Sequence, residues 1–209
     1  MCPKKAGRGG ARMTEAQKYA LFATLAQIPR TGWVERNVPH PESVAEHIYG
    51  CWLLGYFLLP ETATDASYDK QTVLQMLLLH DLPEAVTGDI PRPVKKQDPV
   101  YYDELERRAA QDSLLSGNCT ASARALWEEW VQQASYNALV AKDIDDLQAV
   151  FTCRGLQKRY PGLLADEDVA LWMQSLQNLK TETGRQTAER MLKEYLLYPP
   201  PRFLLKQMC

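Results

Sequence analysis

A chain of 209 residues with 45% hydrophobic content can bury a core without staples, as one large domain or two small ones. Its formal charge of −2 and pI near 6.0 give no global attraction to a nucleic-acid polymer or an anionic membrane, so phosphate recognition must be local and a small phosphorylated ligand fits better. The five scattered cysteines lack CxxC spacing, which excludes a disulfide framework or cysteine zinc cluster; the longest apolar run, Cys51 to Leu59, is far short of the roughly 20 residues that span a bilayer, and no signal-peptide core opens the chain, so a cytoplasmic address is expected.

Residues 1–12, with Lys4, Lys5, Arg8, Arg12 and three glycines, lack the apolar content to fold and predict a flexible basic tail. The folded unit is expected over residues 13–198. From Thr14, an N-cap with Gln17 three residues on, Tyr19, Leu21, Phe22, Leu25 and Ile28 recur with helical spacing until Pro29. A polar and aromatic connection, Arg30 to Val38, follows, and loops of this kind often carry function. A second helix is predicted from about Pro41-Glu42-Ser43 to the Leu58-Leu59-Pro60 stop, with His47 in its first turns. After a loop from Glu61 to Tyr68, Asp69 caps a third helix whose Val73, Leu74, Met76, Leu77, Leu78 and Leu79 are apolar nearly all round, which predicts a buried, central element. His80-Asp81 closes it, because the Pro83 ring disfavours helical geometry at Leu82. A short helix should end at Gly88, and Pro91, Pro93 and Pro99 punctuate an expected extended connection carrying Lys95 and Lys96.

Tyr101 to Leu115 reads as a charged amphipathic helix closed by Gly117-Asn118, and Thr120 opens another through Leu126, Trp127 and Trp130. Ala138 to Leu156 is a long helix with Asp143, Asp145 and Asp146 inside it. Helices from Asp166 to Leu179 and from about Gly184 to Tyr195 precede Pro199-Pro200-Pro201, which forces an extended tail over 199–209. No strand pattern, repeat or heptad occurs, so the fold is expected to be all-α and single-domain.

Neutral imidazole and ionised carboxylate are both metal donors, and a mixed nitrogen and oxygen set suits borderline divalent ions better than Ca²⁺. A lone His-Asp pair at a helix end more often caps or hydrogen-bonds; here it has company. His47, His80-Asp81 and the Asp143 to Asp146 cluster fall on three separate helices, which a bundle can bring to one point. Arg30 and Arg36 are candidate phosphate contacts, and Trp33 is a candidate stacking surface for a base or sugar, whereas Lys95 and Lys96 read as surface cations.

The order His47, His80-Asp81, Asp145 resembles the signature of HD-domain phosphohydrolases, and the flanking sequence is similar to the 5′-deoxynucleotidase subgroup. Three blocks carry the resemblance: Arg30 to Val38 leading into Pro41-Glu42-Ser43-Val44-Ala45-Glu46-His47; Leu79-His80-Asp81-Leu82-Pro83-Glu84 with Gly88-Asp89-Ile90; and Leu126-Trp127-Glu128-Glu129 with Lys142-Asp143-Ile144-Asp145. It implies an HD-type helical bundle with one divalent metal ion (Mn, Co, Mg, Zn or Fe) in its core, held by His47, His80, Asp81 and Asp145, with Glu84 and Asp89 as active-site acids. The implied reaction is release of phosphate from 2′-deoxynucleoside 5′-monophosphates. The chain departs from the subgroup's pattern at Asn137, Asp146 and Gln148, and the segment after Leu156 carries no motif and is left for packing or a homodimer contact.

Competing readings are separable. A di-iron oxygenase on the same scaffold needs further histidines, and only His40 remains once His47 and His80 are used. A non-catalytic nucleotide-binding module would be favoured by a lost ligand, and none is lost. Hydrolysis of a cyclic nucleotide or polyphosphate keeps the same metal and changes only the substrate.

Overall fold

The starts of five helices among the described residues are set by side chains, Thr14, Ser43, Asp69, Asp98 and Ser135, that accept orphan amides of the first turn. The computed structural model describes residues 13–61, 68–113 and 121–197; the tails expected at 1–12 and 199–209 and the Gly117-Asn118 stop lie outside the described residues. Thr14 and Gln17 form a reciprocal capping box at the start of α1 (Glu15–Ala23), which continues as a 3-10 turn, Thr24–Gln27, up to Pro29. The Arg30 to Val38 connection contains a single turn, α2 (Thr31–Val34). Ser43 and Glu46 form a second capping box for α3 (Val44–Leu58), and Asp69 caps α4 (Lys70–Leu79) by accepting from the amides of Gln71 and Thr72.

Pro83 opens the next turn, α5 (Glu84–Thr87), which Gly88 ends with φ of 72°, a left-handed conformation that costs glycine nothing. The expected extended connection is instead a helical turn, α6 (Arg92–Lys95). Pro91 at its N-cap and Pro93 in its first turn occupy positions where a missing amide hydrogen is not needed. Then follow α7 (Pro99–Asp112), α8 (Ala121–Gln132), α9 (Tyr136–Arg159), α10 (Asp166–Met173) with a 3-10 extension Gln174–Asn178, and α11 (Glu182–Leu197). No strand occurs among the described residues, only an isolated antiparallel bridge between Pro29 and Ser43.

The axis of the bundle is α9, packed against α3, α4, α8, α10 and α11. Val140, Ala141, Ile144, Leu147 and Val150 of α9 are fully buried with Val73, Met76 and Leu77 of α4 and Cys51 of α3. The all-round burial expected for α4 does not hold. Leu78 is 44% exposed and lies with exposed Gln71 and Gln75 on one face, so α4 is amphipathic. The isolated bridge matters to the site. Arg30 donates its amide to the Glu42 carbonyl (2.9 Å) and Val44 donates to that of Ile28 (2.8 Å), so the loop between them is closed at its base beside the start of α3.

Asp143 is buried and does structural work. Its carboxylate accepts from the Lys180 amide (2.8 Å), the Thr181 amide (2.8 Å) and the Thr181 hydroxyl (2.7 Å), which ties α9 to the entry of α11. The approach is so close that a Cβ at Gly184 would overlap the Asp143 carboxylate. Asp143→Ala should therefore lower the melting temperature by roughly 6–12 °C, about 3 kcal/mol for two buried donors and one partly buried donor left without their acceptor. Unchanged thermal unfolding would show that the contact carries no stability.

Candidate metal centre

Local sequence places each donor. The capping box at Ser43 fixes the first turns of α3, so His47 sits inside the bundle with no exposure. His80 is the C-cap of α4, and the Pro83 turn brings Asp81 alongside it, while Asp145 lies on α9 next to fully buried Ile144. The four side chains meet at one point. His47 Nε2 is 3.0 Å from Asp145 Oδ1 and 3.5 Å from Asp81 Oδ2; His80 Nε2 is 3.1 Å from Asp81 Oδ2 and 3.9 Å from Asp145 Oδ1.

Both imidazoles present the same nitrogen to that point. His80 Nδ1 lies 2.8 Å from the Leu77 carbonyl, and His47 Nδ1 lies 2.7 Å from Gln148 Oε1. A carbonyl oxygen only accepts, so Nδ1 carries the proton in each ring and Nε2 keeps its lone pair, the arrangement that a metal-ligating histidine requires. His80 Nε2 is buried with no hydrogen-bond partner, a need that a divalent ion satisfies. Cys51 Sγ also falls near: its donor atom and those of His47, His80 and Asp145 all lie within 4.8 Å of one another. Burial, reinforced by Asp145 and Asp81, pushes the Cys51 thiol well above its usual range, so it stays protonated and is the weaker donor. Asp81, an ionised carboxylate in the same ring of atoms, is the better fourth donor.

Electrostatics keep the carboxylates charged. Burial would raise both, yet positive charge on the imidazoles of His80 and His47 and on Arg30 holds Asp81 below the usual carboxylate range, and Lys142 with the two imidazoles holds Asp145 well below it; a divalent ion on the Nε2 lone pairs would supply that positive charge in their place. Lys142 Nζ is 2.5 Å from Asp145 Oδ2, and Arg92 pairs with Asp146 and reaches to 3.4 Å from Asp145. Glu84 moves the other way. It is 5% exposed, and burial, then the charges of Asp81 and Asp89, push its carboxyl well above the usual range.

A cavity of about 510 Å³ opens on this cluster, within the range of small-molecule sites, and its walls include His80, Asp81, Glu84, Asp145, Arg92, Lys142, Trp127, Trp130 and Trp172. Among the described residues, three buried side-chain atoms lack a hydrogen-bond partner: His80 Nε2, Glu84 Oε2 and Trp127 Nε1. All three residues line this one cavity.

Other sequence candidates take altered places. Asp89 accepts from Arg30 Nη1 (2.6 Å) and the Thr31 amide (2.6 Å), so it anchors Arg30, which also lies 3.6 Å from Asp81. Arg36 lines the cavity, but its guanidinium is bound by Asp168 (2.7 Å) and lies over the Trp172 ring. Trp33 is 3% exposed; Trp172 is stacked on it at 4.2 Å and Glu42 takes its N–H, so it is a wall of the cavity and the expected free stacking surface is already spent inside the protein. His40 is exposed, has a positive φ of 53° and is not among the clustered donors. Sequence reasoning does not find Arg92, Lys142, Trp127 and Trp172 as cavity residues. Lys142 sits beside the acids with the (i, i+3) spacing that pairs charges on a helix, which is a usable signal.

Residues 22–192 match the HD domain family, most of the chain. The chain belongs to that family. It is a metal-binding HD-domain phosphohydrolase. The sequence is 33% identical over 139 residues to the zebrafish (Danio rerio) protein named 5′-deoxynucleotidase HDDC2, an alignment that covers 64% of this chain and just under two thirds (65%) of that protein. It is 30% identical over 167 residues to the Bos taurus protein of the same name, covering 77% of this chain and 76% of the relative. Among solved structures, the fold matches a cyanophage S-2L HD phosphohydrolase, DatZ, bound to dA and one catalytic Zn²⁺ ion. The TM-score is 0.61 at 21% identity, with 88% of this chain and 99% of that one covered. No helix among the described residues is long and apolar enough to cross a membrane.

His80→Ala and Asp81→Ala should each abolish metal retention measured by elemental analysis, while Asp146→Asn, which alters a partner of Arg92 and Lys142, should keep it. Stoichiometric metal in either of the first two variants would remove that residue from the ligand set.

Proposed function

We propose that this HD phosphohydrolase releases inorganic phosphate from 2′-deoxynucleoside 5′-monophosphates, with His47, His80, Asp81 and Asp145 as metal ligands and Glu84 as the proton donor. The observation that carries the reading is the shared cavity of the three unpartnered atoms: a ligand-type imidazole nitrogen, a protonated carboxyl and an indole N–H, each wanting a partner that a bound ion and a phosphate ester supply. A divalent ion in such a site contributes Lewis acidity, making water a better nucleophile and offsetting charge on the phosphoryl group.

The protein's own groups do the rest. Arg92, with its side chain 54% exposed, and Lys142 stand beside the carboxylates where phosphate oxygens would arrive, and Arg30 is aimed by Asp89. These take over the phosphate role that the sequence alone gives to Arg36. Water oxygen bonds to phosphorus, the bond from phosphorus to the sugar 5′ oxygen breaks, and Glu84 gives its proton to that oxygen, leaving deoxynucleoside and phosphate that carries both protons of the water, one of which returns to Glu84. Asp89, engaged by two donors, serves as the anchor of Arg30. Relatives named 5′-deoxynucleotidases, aligned over most of the chain, support the substrate class.

Because Glu84 works as an acid, the rate should fall on the alkaline side as its proton is lost, and burial places that fall above the pH of an ordinary glutamate. Glu84→Gln should remove this alkaline limb and lower kcat by about 10²-fold or more with metal content unchanged. A rise in KM alone would refute the role. A phosphate-release screen across deoxy- and ribonucleoside monophosphates, polyphosphates and sugar phosphates tests the substrate: a preference for the deoxy sugar is expected. Equal rates on both sugars, or preference for a polyphosphate, would overturn the deoxynucleotidase assignment and leave the metal-dependent hydrolase standing.

A further inference from the structure

The two ligand imidazoles are held by unlike devices. His80 donates Nδ1–H to a backbone carbonyl, which no substitution can turn into a donor. His47 depends on the amide of Gln148, and an amide can offer its neighbour either an oxygen or an NH₂ group. If the NH₂ faced His47, Nδ1 would become the acceptor, the proton would move to Nε2, and the lone pair needed by the metal would be lost.

The geometry points to Glu42 as the residue that decides this: we propose that Glu42, which is no metal ligand, fixes the metal-binding tautomer of His47 by orienting the Gln148 amide. Gln148 Nε2 is 3.0 Å from Glu42 Oε2. A carboxylate only accepts, so the NH₂ must face Glu42 and the oxygen must face His47. Two further contacts hold the arrangement. Trp33 Nε1, which only donates, is bound to Glu42 Oε1 at 3.0 Å and occupies the other carboxylate oxygen. The Thr152 hydroxyl accepts from Gln148 Nε2 (3.0 Å) and donates to Glu42 Oε2 (3.3 Å). As a hydroxyl it would suit either amide orientation, so it does not make the choice. Space is reserved for the amide as well: a Cβ at Gly50 would stand 3.0 Å from Gln148 Nε2. One fixed acceptor thus sets, in succession, an amide, an imidazole and a ligand lone pair.

The inference rests on the metal site assigned above and is tested by an exchange of side chains. In metal-free protein at alkaline pH, where imidazoles are neutral, nitrogen-15 correlations should show His47 with its proton on Nδ1. Glu42→Gln, which is isosteric but no longer restricted to accepting, should give a mixture with Nε2–H and weaken binding of titrated Zn²⁺ or Mn²⁺ by roughly 10- to 100-fold, the usual loss for an orienting partner of a ligand histidine. The double exchange Glu42→Gln with Gln148→Glu restores a donor facing an acceptor. The amide introduced at position 42 would accept from Trp33 and donate to position 148, whose new carboxylate accepts from His47. This double variant should recover both the tautomer and most of the affinity. A merely structural role for Glu42 would not be rescued by the swap. Wild-type tautomer and affinity in Glu42→Gln, or no recovery in a folded double variant, overturns the proposal. His80→Ala read in the same titration separates the two levels. If it binds metal like wild type, the site assignment fails; if it does not while Glu42→Gln binds normally, the relay alone fails.

Discussion

Two carboxylates and two imidazoles share one buried point, and the surrounding structure answers the cost of that arrangement. Moving an ionised carboxylate out of water costs several kcal/mol even after relaxation, and Asp81 and Asp145 both point into the same space. Neither is left alone. Arg30 approaches Asp81 from the loop closed by the Pro29 and Ser43 bridge, Lys142 reaches Asp145 along α9, and the imidazoles lie between them. The donor set of two carboxylates and two imidazole nitrogens suits a dication, whose binding energy would then add to the stability of the folded bundle. The length of α9 follows from the same demand, because one rigid rod carries Asp145, Lys142 and Gln148 and also the apolar residues that bury them.

Helix boundaries are legible in the sequence where the signal is local. Thr14 with Gln17 and Asp69 are read as caps that act within three residues, and the structure forms both; the start read near Pro41-Glu42-Ser43 proves to be a capping box of the same local kind, Ser43 with Glu46. The order His47, His80-Asp81, Asp145 is legible through its resemblance to the HD-domain signature; the apolar pattern of the three helices adds only that a bundle can bring them together. The roles of the neighbours are not legible, because they are set by long-range partners. Asp89 meets Arg30 across 59 residues, Gln148 meets Glu42 across 106, and Arg36 meets Asp168 across 132. Three acids within four positions of a helix also look like a solvated face. Only packing shows that Asp143 is spent on α11, Asp145 faces the imidazoles and Asp146 pairs with Arg92.

The segment beyond Leu156 shows how a stretch without motifs can still shape a site. Asp168 holds Arg36 in place, Trp172 stacks on Trp33, and Leu171 and Ser175 line the same cavity as the metal donors. Its residues close one wall, a task that needs volume and position and no particular chemistry. Composition alone therefore could not distinguish this wall from ordinary packing.

Pro91 and Pro93, which start α6 so readily, also decide what kind of welcome the rim gives an anion. Neither has an amide hydrogen, so this edge cannot cup phosphate with main-chain donors in the way a glycine-rich loop at a helix start does. In the proposed reaction an incoming phosphate would meet the side chains of Arg92 and Lys142 instead. Attraction carried by a half-exposed cation such as Arg92 weakens as salt shortens the Debye length from about 10 Å at 0.1 M to about 3 Å at 1 M. Substrate capture at this rim would thereby be tied to ionic strength, while the buried acids and imidazoles beneath it would be shielded from the same change.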